Sequence, residues 1–291
     1  MKNAVILFLV VLLIGCEKNI DFKLDESAST LVVDAEIENG KPPIVVLTKS
    51  IAYFNQISPE ILANSFVHNA EVYLSNGVLT HKLKEYTNSF IPGFSTYFYS
   101  IDTALLNTAF VGAFNTSYQL KVITEGKEYN AETQIPPLTV FPDSVYFKPA
   151  PDNPDTNTRV LFTIISDPAG LGNYIRYYTK KNAGPFFPGR RSVNTDEIID
   201  GTTYIAKLDP GIDYNNPPVV GEDFFIKSDT ITLKVSNINR ATYTFWNTWE
   251  FAYQSIGNPF AQPNKVIGNI SNGALGAFCG YSSWTKTIIV P

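Results

Sequence analysis

The stretch "SYQLKVITEGKEYNAETQIP", residues 117–136, decides the fold class of this chain. Tyr118, Leu120 and Val122 alternate with polar residues, and the alternation resumes at Tyr129 after a Glu-Gly pair. Apolar residues at every second position are typical of a strand with one buried and one solvated face. We therefore predict a β-hairpin here and a mainly β fold for the chain.

Two further hairpins are predicted before this one. "LVVDAEIENGK" (31–41) alternates in the same way and ends in Asn-Gly, and "PPIVVLTKS" (42–50) is its return strand. "AEVYLSNGVLTHKL" (70–83) repeats the arrangement, with Asn-Gly at its centre. Asn-Gly between alternating runs is a strong hairpin signal. Strands at this spacing predict an immunoglobulin-like or fibronectin-like β-sandwich domain over residues 28–137.

A second series of strands follows a stiff connector that begins at Pro136 and Pro137. These strands are predicted at residues 143–149, 158–167, 173–181 and 228–238. They predict a second β-sandwich of the same type over residues 138–291. The Pro- and Gly-rich segments 185–201 and 208–225 separate its strands, and we predict that they are long loops. Loops on a β scaffold are where binding sites tend to lie.

The segment "NRATYTFWNTWEFAYQSIG" (239–257) breaks the β pattern, because it contains neither Pro nor Gly before Gly257. Its aromatic residues recur at helical spacing, which predicts a helix over about 240–256. Asn237 or Asn239 would cap this helix, and Gly257 would end it. Two interpretations of the aromatic residues stay open: core packing beneath the second sheet, or a partly exposed platform for a sugar or a protein partner.

The segment that follows, residues 257–284, is rich in Gly and Asn. It has no Gly-x-Gly-x-x-Gly spacing, which argues against nucleotide binding. Its glycines are expected to supply positive φ and close passage of the backbone against the aromatic helix, and a recognition surface is the alternative. The candidate partner or ligand surface drawn from the helix and this segment consists of Trp246, Trp249, Tyr253, Phe260, Asn269, Asn272, Tyr281 and Trp284.

The amino terminus carries an apolar run that stops at a cysteine, "LFLVVLLIGCEKN" (7–19). The run is shorter than the roughly 20 residues that span a bilayer, and it follows a basic start, as in a secretory signal. Its last residues resemble a bacterial lipobox. We predict that residues 1–15 are a lipoprotein signal peptide, that Cys16 carries acyl chains such as palmitate, and that residues 16–27 form a lipidated tether. An ordinary signal peptide is the alternative.

The composition indicates an exported protein that does not bind nucleic acid. Without residues 1–15 the chain carries 21 basic and 27 acidic residues, a net charge of −6. This charge disfavours a phosphate backbone as a partner. With Cys16 lipidated, Cys279 has no cysteine partner, so we expect no disulfide within the mature chain and a fold that depends on packing.

The sequence offers no clear catalytic residues. Cys279 as a nucleophile would need a nearby base, and both histidines, His68 and His81, lie in the predicted first domain. Neither histidine fits the spacing of a zinc site. "DNPDTN" (152–157) lacks the Gly and Glu of a helix–loop–helix calcium site, and we interpret it as a solvated turn. We therefore expect a non-enzymatic protein without a cofactor or a metal.

Five stretches of the chain resemble a family of Bacteroidota outer-membrane lipoproteins that contain a domain of unknown function. They are the lipobox, "LVVDAEIENG" with "VVLTKS", the hairpin at 117–136, "SDPAGLGNYIRYY" (166–178) and the ending "FWNTWEFAYQSIGNPFAQPNKVIGNISNGALGAFCGYSSW" (245–284). Members of this family are often encoded beside SusC-like, TonB-dependent receptors. The resemblance implies an accessory protein of a transporter or of another outer-membrane machine, and it implies no catalytic residues.

Two functions stay open from the sequence. The first is a non-enzymatic subunit, anchored through Cys16, that packs on a β-barrel outer-membrane protein such as a SusC-like receptor or an assembly or secretion machine. The second is a surface-exposed lipoprotein that binds a glycan or a peptide by stacking on Tyr and Trp. We expect the outer membrane as the location, facing the cell surface, with the periplasmic face as the alternative. Asp-Ser/Thr tripeptides at Asp102, Asp143 and Asp229 match an O-glycosylation pattern.

Overall fold

The computed structural model describes residues 29–51, 58–91, 94–216, 223–258, 260, 262 and 264–291. The predicted signal peptide (1–15), Cys16 and the tether (16–27) lie outside the described residues. The fold is mainly β, as predicted. Its strands are β1 (Leu31–Glu38), β2 (Ile44–Lys49), β3 (Glu71–Ser75), β4 (Thr80–Ile91), β5 (Phe94–Ile101), β6 (Thr116–Thr124), β7 (Lys127–Ile135), β8 (Pro142–Pro149), β9 (Thr158–Ser166), β10 (Tyr174–Lys181), β11 (Phe186–Thr195), β12 (Thr203–Leu208), β13 (Phe225–Ile226), β14 (Thr230–Ile238) and β15 (Leu275–Ile289). The helices are α1 (Pro59–Ser65) and α2 (Arg240–Gln254).

Within the described residues, eleven strands form one sheet, in the order β11-β10-β14-β15-β1-β2-β5-β4-β3-β6-β7. The other four form a second sheet around β9, with β8 on one edge of β9 and with β12 and β13 sharing the opposite edge. The large sheet therefore runs through both halves of the chain, and the small sheet belongs to the second half alone.

The hairpin predicted at residues 117–136 is confirmed. β6 and β7 pair antiparallel along their whole length up to Thr124 and Lys127. Glu125 and Gly126 form the turn, with φ of 51° and 72°. A two-residue turn with positive φ at both positions matches the twist of the flanking strands, so this turn fixes their register.

The first core lies against the inner face of β1, β2, β3, β6 and β7. Alternate residues of each strand are buried there, because side chains of a strand point to opposite faces in turn. Members of this core include Leu31, Val33, Ala35, Ile37, Val45, Leu47, Val72, Leu74, Tyr118, Leu120, Val122, Ala131 and Ile135. Phe278 of β15 is also a member, although it lies far away in the sequence.

The strand β15 belongs to both halves of the fold. Residues 275–281 pair in parallel with β1, and residues 282–289 pair antiparallel with β14. The predicted domain boundary at residue 137 stays a prediction. The structure adds that β15, from the second half, pairs with β1 of the first half within one sheet.

The second half has three layers. A core between the two sheets contains Val140, Leu161, Ile165, Ile175, Tyr177, Leu208, Phe225, Ile231, Leu233, Val235 and Val290. On the opposite face of β10, β14 and β15, the helix α2 packs through Tyr243, Phe245 and Trp246. The sheet is thus covered by a helix on one side and by the second sheet on the other.

The helix α2 confirms the helix predicted over about 240–256. Asn239 is its N-cap, and the side chain accepts a backbone N–H three residues on at 2.8 Å. Gly257, with φ of 80°, follows the end of the helix. Asn237, the other predicted cap, instead exchanges two hydrogen bonds with the backbone of Val140, at 2.8 and 2.6 Å.

Two predictions about irregular segments were wrong. Residues 185–201 are not simply a long loop, because β11 occupies most of them. Residues 275–284 of the Gly- and Asn-rich segment belong to β15, a strand that was not predicted because frequent Gly and Asn hide the alternating pattern. At Gly276, where φ is 92°, an added Cβ would lie 2.0 Å from the carbonyl oxygen of Val33. The glycine therefore lets β15 approach β1, and its close contact is not with the aromatic helix as predicted.

Candidate functional site

A bulge in β11 positions the candidate site. Pairing with β10 breaks off after Pro188 and resumes at Val193, so residues 189–192 leave the ladder. Gly189 is required here because an added Cβ would lie 1.9 Å from the hydroxyl of Tyr177. Bulges re-aim side chains next to functional sites. We call residues 189–192 the β11 bulge.

A buried polar network ties the β11 bulge to α2. The backbone N–H of Ser192 donates to both carboxylate oxygens of Glu250, at 3.0 and 3.2 Å, and the Ser192 hydroxyl donates to the same carboxylate. Nε of Arg176 donates to the Ser192 hydroxyl oxygen at 2.9 Å. All three residues are buried. Buried polar groups need partners, so this network fixes one conformation of the bulge.

The network holds two opposite charges away from water. Burial raises the pKa of the Glu250 carboxyl, and the hydrogen bonds from Ser192 and the charge of Arg176 oppose this effect. The Arg176 guanidinium lies 3.4 Å from the centroid of the Trp246 ring, in a cation–π contact. The indole face of Trp246 thus covers the guanidinium of Arg176. Ser192 of the bulge binds the carboxylate of Glu250 by hydrogen bonds.

Three aromatic residues support the bulge from its outer side. The rings of Trp249 and Tyr253 stack at 5.4 Å, and Tyr214 packs edge-on against both, at 5.0 and 4.5 Å. The hydroxyl of Tyr253 donates to the carbonyl of Tyr214 at 3.0 Å, and the hydroxyl of Tyr214 donates to the carbonyl of Gly189 at 3.3 Å. We call Tyr214, Trp249 and Tyr253 the aromatic cluster. It links α2, the loop after β12 and the β11 bulge.

A cleft opens beside the β11 bulge, between the edge strands β11 and β12. Its inner chamber has a volume of about 530 Å³ and is lined by apolar residues of both sheets, namely Ile165, Ile175, Tyr177, Leu208 and Val235. Its outer chamber, about 780 Å³, lies along the loop that follows β12. The two chambers share Arg190, Lys207 and Asp209. Cavities of this size accommodate small ligands or short peptides.

Basic side chains outnumber acidic ones around the inner chamber. Arg190, Arg191 and Lys207 line it, with Asp209 as the single acidic residue. Arg190 lies 3.6 Å from Asp223, and Lys207 lies 3.4 Å from Asp209, in pairs whose side chains are all more than half exposed. Such exposed pairs are weak. The side chain of Arg191 makes no ion pair or hydrogen bond with any residue in the described part of the chain. The lining of the inner chamber is therefore largely apolar and carries a net positive charge.

Four residues of the predicted partner or ligand surface meet at α2. Trp246 donates its indole N–H to the hydroxyl of Tyr281 at 2.8 Å, and Trp249 and Tyr253 belong to the aromatic cluster. All four are buried or half-buried. They support the cleft and do not line it, which agrees with the core-packing interpretation of the helix.

The other four predicted residues lie apart from the cleft. Trp284 is on the opposite face of β15, where it packs on the second core and stacks with Phe141 at 6.4 Å. Asn269 donates to carbonyls of β7 and β15, both at 2.9 Å, and Asn272 donates to a carbonyl of β7 at 3.3 Å. These amides clamp the chain that leads into β15. Phe260 is 93% exposed.

Sequence reasoning missed the residues that define the cleft. Arg190 and Arg191 lay in a segment predicted to be a loop, without a specific role. Glu250 lay within the predicted aromatic helix, without a specific role. A signal was available in both cases: a Pro-Gly pair before two arginines within a β series is typical of a bulge, and a lone carboxylate on a helix of aromatic residues indicates a buried partner.

Three carboxylates near the cleft lie close together. Oxygen atoms of Asp167, Asp196 and Asp200 are within 4.8 Å of one another, the only such group among the residues described. Burial raises the pKa of Asp167, a hydrogen bond from Gly201 opposes this, and the charges of the other two carboxylates raise it further. Backbone N–H groups of glycines also donate to Asp196 and Asp200, at 2.8 and 2.6 Å. These hydrogen bonds give the three carboxylates a structural role, because they connect the loop at residues 167–172 to the loop at residues 196–201.

Comparisons with known proteins assign the chain to a family and not to an activity. Within the described residues, no helix has both the length and the apolar character needed to cross a membrane. No curated protein matches the chain in sequence. The sequence profile of a domain of unknown function, DUF4249, matches residues 17–287, which is nearly all of the chain. The chain therefore belongs to the DUF4249 family.

Proposed function

We propose that this protein is a non-enzymatic, lipid-anchored accessory subunit of an outer-membrane complex, with a β-barrel protein as its partner. The lipobox that ends at Cys16 carries the proposal, because it precedes β1 by a short polar segment and would tether the β fold to a membrane surface. The resemblance to Bacteroidota lipoproteins encoded beside SusC-like receptors supports a TonB-dependent transporter as the partner. The cell surface is the proposed location.

An apolar patch around the end of α2 supports the choice of a protein partner. Phe251, Ile256, Phe260 and Ile267 are 59%, 76%, 93% and 51% exposed, respectively, and lie within one short stretch of the chain. Large exposed apolar side chains grouped in this way mark interaction surfaces. We call these four residues the helix-end patch, and we propose that the barrel protein covers it.

Two experiments test this function. Metabolic labelling with palmitate should mark the wild-type chain and leave Cys16→Ser unmarked; an unlabelled wild-type chain would remove the anchor from the proposal. Affinity purification from detergent-solubilised membranes should recover a barrel protein in stoichiometric amount. Recovery of the lipoprotein alone would contradict the accessory role.

The helix-end patch can be tested in the same purification. The double variant Phe251→Asp/Phe260→Asp should lose the barrel protein, because a buried unpaired carboxylate is costly in an interface. Val78→Asp is the matched control, since Val78 is 89% exposed on the β3–β4 turn, far from α2 in the sequence. Equal recovery with both variants would show that the partner binds elsewhere.

A second candidate function is a surface lipoprotein that binds a glycan or a peptide. The cleft beside the β11 bulge favours it, because the cleft has ligand size and its wall is fixed by a buried network. Glycan arrays and calorimetry with peptides test this function. Absence of binding in both experiments would eliminate it. The two functions are compatible, because a transporter subunit can bind the transported molecule.

A further inference from the structure

We propose that the inner chamber binds the free carboxylate end of an extended peptide whose last side chain is apolar. This inference rests on the second candidate function and names its ligand class. Three separate features of the cleft point to such a ligand: an unpaired strand edge, an apolar interior and a cluster of cations.

The unpaired edge belongs to β12. This strand pairs with β9 along one edge, from Thr203 to Leu208. On its other edge, no backbone group makes a hydrogen bond with any residue that the structure describes. Side chains from both faces of β12, Ala206 and Leu208 on one and Lys207 on the other, line the inner chamber, so this edge borders the cleft. An exposed strand edge can bind an extended peptide through main-chain hydrogen bonds.

The interior of the chamber suits an apolar side chain. Ile165, Ile175 and Val235 come from facing strands of the two sheets and belong to the second core. A peptide residue that enters between the sheets would extend this core. Burial of an apolar side chain is favourable in proportion to the area removed from water, so the chamber should favour apolar over polar residues at this position.

The cations select the carboxylate end. Arg190, Arg191 and Lys207 surround the chamber, and the side chain of Arg191 has no partner within the described ranges. In the outer chamber the acidic residues outnumber the basic ones by one: Asp209, Asp213, Asp223 and Asp229 line it together with Lys181, Arg190 and Lys207. The charge therefore changes sign along the cleft. A peptide would place its carboxylate in the inner chamber and extend toward the acidic outer chamber.

A peptide explains all three features, whereas other amphipathic anions explain two. A fatty acid would use the apolar interior and the cations, and it has no amide groups to pair with β12. A neutral glycan would not need the cations. The ligand that uses every feature has a backbone, an apolar side chain and a terminal carboxylate.

Calorimetry on the processed full-length lipoprotein in non-ionic detergent tests the proposal. The probe is N-acetyl-Ala-Val-Ala-Leu with a free carboxylate, compared with the same peptide as its carboxamide. The carboxylate form should bind about tenfold more tightly, since a charge-assisted contact contributes about 1.5 kcal/mol or more. Equal affinities, or no binding of either form, would overturn the proposal.

Variants locate the carboxylate. Arg191→Gln should bring the two affinities close to each other, because it removes a cation without breaking any bond in the described part of the protein. Arg240→Gln is the matched control, since Arg240 is also exposed but lies at the first turn of α2, and it should keep the tenfold preference. The same loss in both variants would mean that general charge, and not the cleft, attracts the peptide.

Two further measurements test the strand edge and the chamber. N-methylation of a peptide amide that pairs with β12 should abolish binding. A series of peptides methylated at each position in turn should therefore lose binding at alternate positions. A series without any loss would contradict strand pairing. Ala206→Trp should fill the chamber and abolish binding of the peptide, with an unchanged thermal transition as proof of folding. Decanoate binding more tightly than the peptide would assign the chamber to fatty acids and overturn the proposal.

Failure of peptide binding can be distinguished from failure of either proposed function. Peptide binding can fail while the barrel protein is still recovered in stoichiometric amount, which would leave the accessory role intact. Peptide binding can also fail while a glycan binds, which would leave the second candidate function with another ligand.

Discussion

Trp246 donates its indole N–H to the hydroxyl of Tyr281 at 2.8 Å, and this bond joins α2 to the strand shared by both cores. Tyr281 is buried, and the same indole carries the guanidinium of Arg176 at 3.4 Å. One tryptophan thus fixes the helix to β15 by a hydrogen bond and to β10 by a cation–π contact. The geometry of the cleft depends on this helix, because Glu250 on α2 holds the β11 bulge.

Removing the carboxylate of Glu250 should destabilise the fold. We expect Glu250→Ala to lower the free energy of unfolding by about 3 kcal/mol, because the N–H of Ser192 and the charge of Arg176 would stay buried without it. Urea titration followed by tryptophan fluorescence measures this change. Glu197→Ala, which truncates an exposed carboxylate, should change the same quantity by less than about 0.5 kcal/mol. Equal effects would refute a structural role for the network.

The stability should depend on pH through Glu250. Burial raises the pKa of this carboxyl above its usual value of 4.5, so the folded state holds the proton more tightly than the unfolded state. Stability from this group is therefore greatest below pH 4.5 and falls as the pH rises toward the folded-state pKa. Relative to Glu250→Gln, the wild type should lose stability across this window. Parallel curves for the two proteins from pH 4 to pH 8 would disprove the shift.

Glycine at position 276 should be essential for the pairing of β1 with β15. Gly276→Ala would place a Cβ 2.0 Å from the carbonyl oxygen of Val33, at a φ of 92°. Gly273→Ala is the control, because Gly273 also has positive φ, 74°, but has open space around it. We expect about 1 kcal/mol of destabilisation at 273 and several times more at 276. Thermal denaturation compares them, and similar losses would argue against the close contact.

Both cores should unfold in one transition, since β15 is part of each. Phe278→Ala removes a side chain from the first core, and Leu233→Ala removes one from the second. Each should lower the stability by about 3–5 kcal/mol, and each should shift a single calorimetric transition as a whole. Two separate transitions, of which each variant shifts only one, would show that the halves fold independently.

Cys279 should be unreactive in the folded protein. Its thiol is buried, and burial raises its pKa to about 12, so almost none of the reactive thiolate is present at pH 8. Iodoacetamide should label it only after unfolding in urea. Thr285→Cys, at an exposed position on the same strand, should be labelled in the folded state. Rapid labelling of the wild type without urea would contradict the burial of β15.

Local patterns made much of the fold predictable from the sequence. Alternating apolar residues and a Glu-Gly turn predict the hairpin at 117–136. Helical spacing of aromatic residues, with Asn239 before them and Gly257 after them, predicts α2. Each of these signals lies within about twenty neighbouring residues, where the period of a strand or a helix is visible. The Asn-Gly turns at 39–40 and 76–77 belong to the same class of signal.

The pairing of β15 could not be read from the sequence. Its first residues look irregular because Gly276 and Gly280 interrupt the alternation, and its partner β1 lies more than 200 residues away. The cleft escaped prediction for a related reason. Arg190, Lys207 and Glu250 come from three elements that only the tertiary fold brings together, and the local signals at Arg190 and Glu250 do not show that they meet at one cleft.

The position of β15 has a consequence for how the protein is made. The ribosome synthesises β1 more than 200 residues before β15, so one edge of β1 stays without its partner until β15 has emerged. A nascent chain that lacks β15 would expose that edge and the gap left by Phe278. Products that terminate before β15 should therefore be degraded faster than chains that include it.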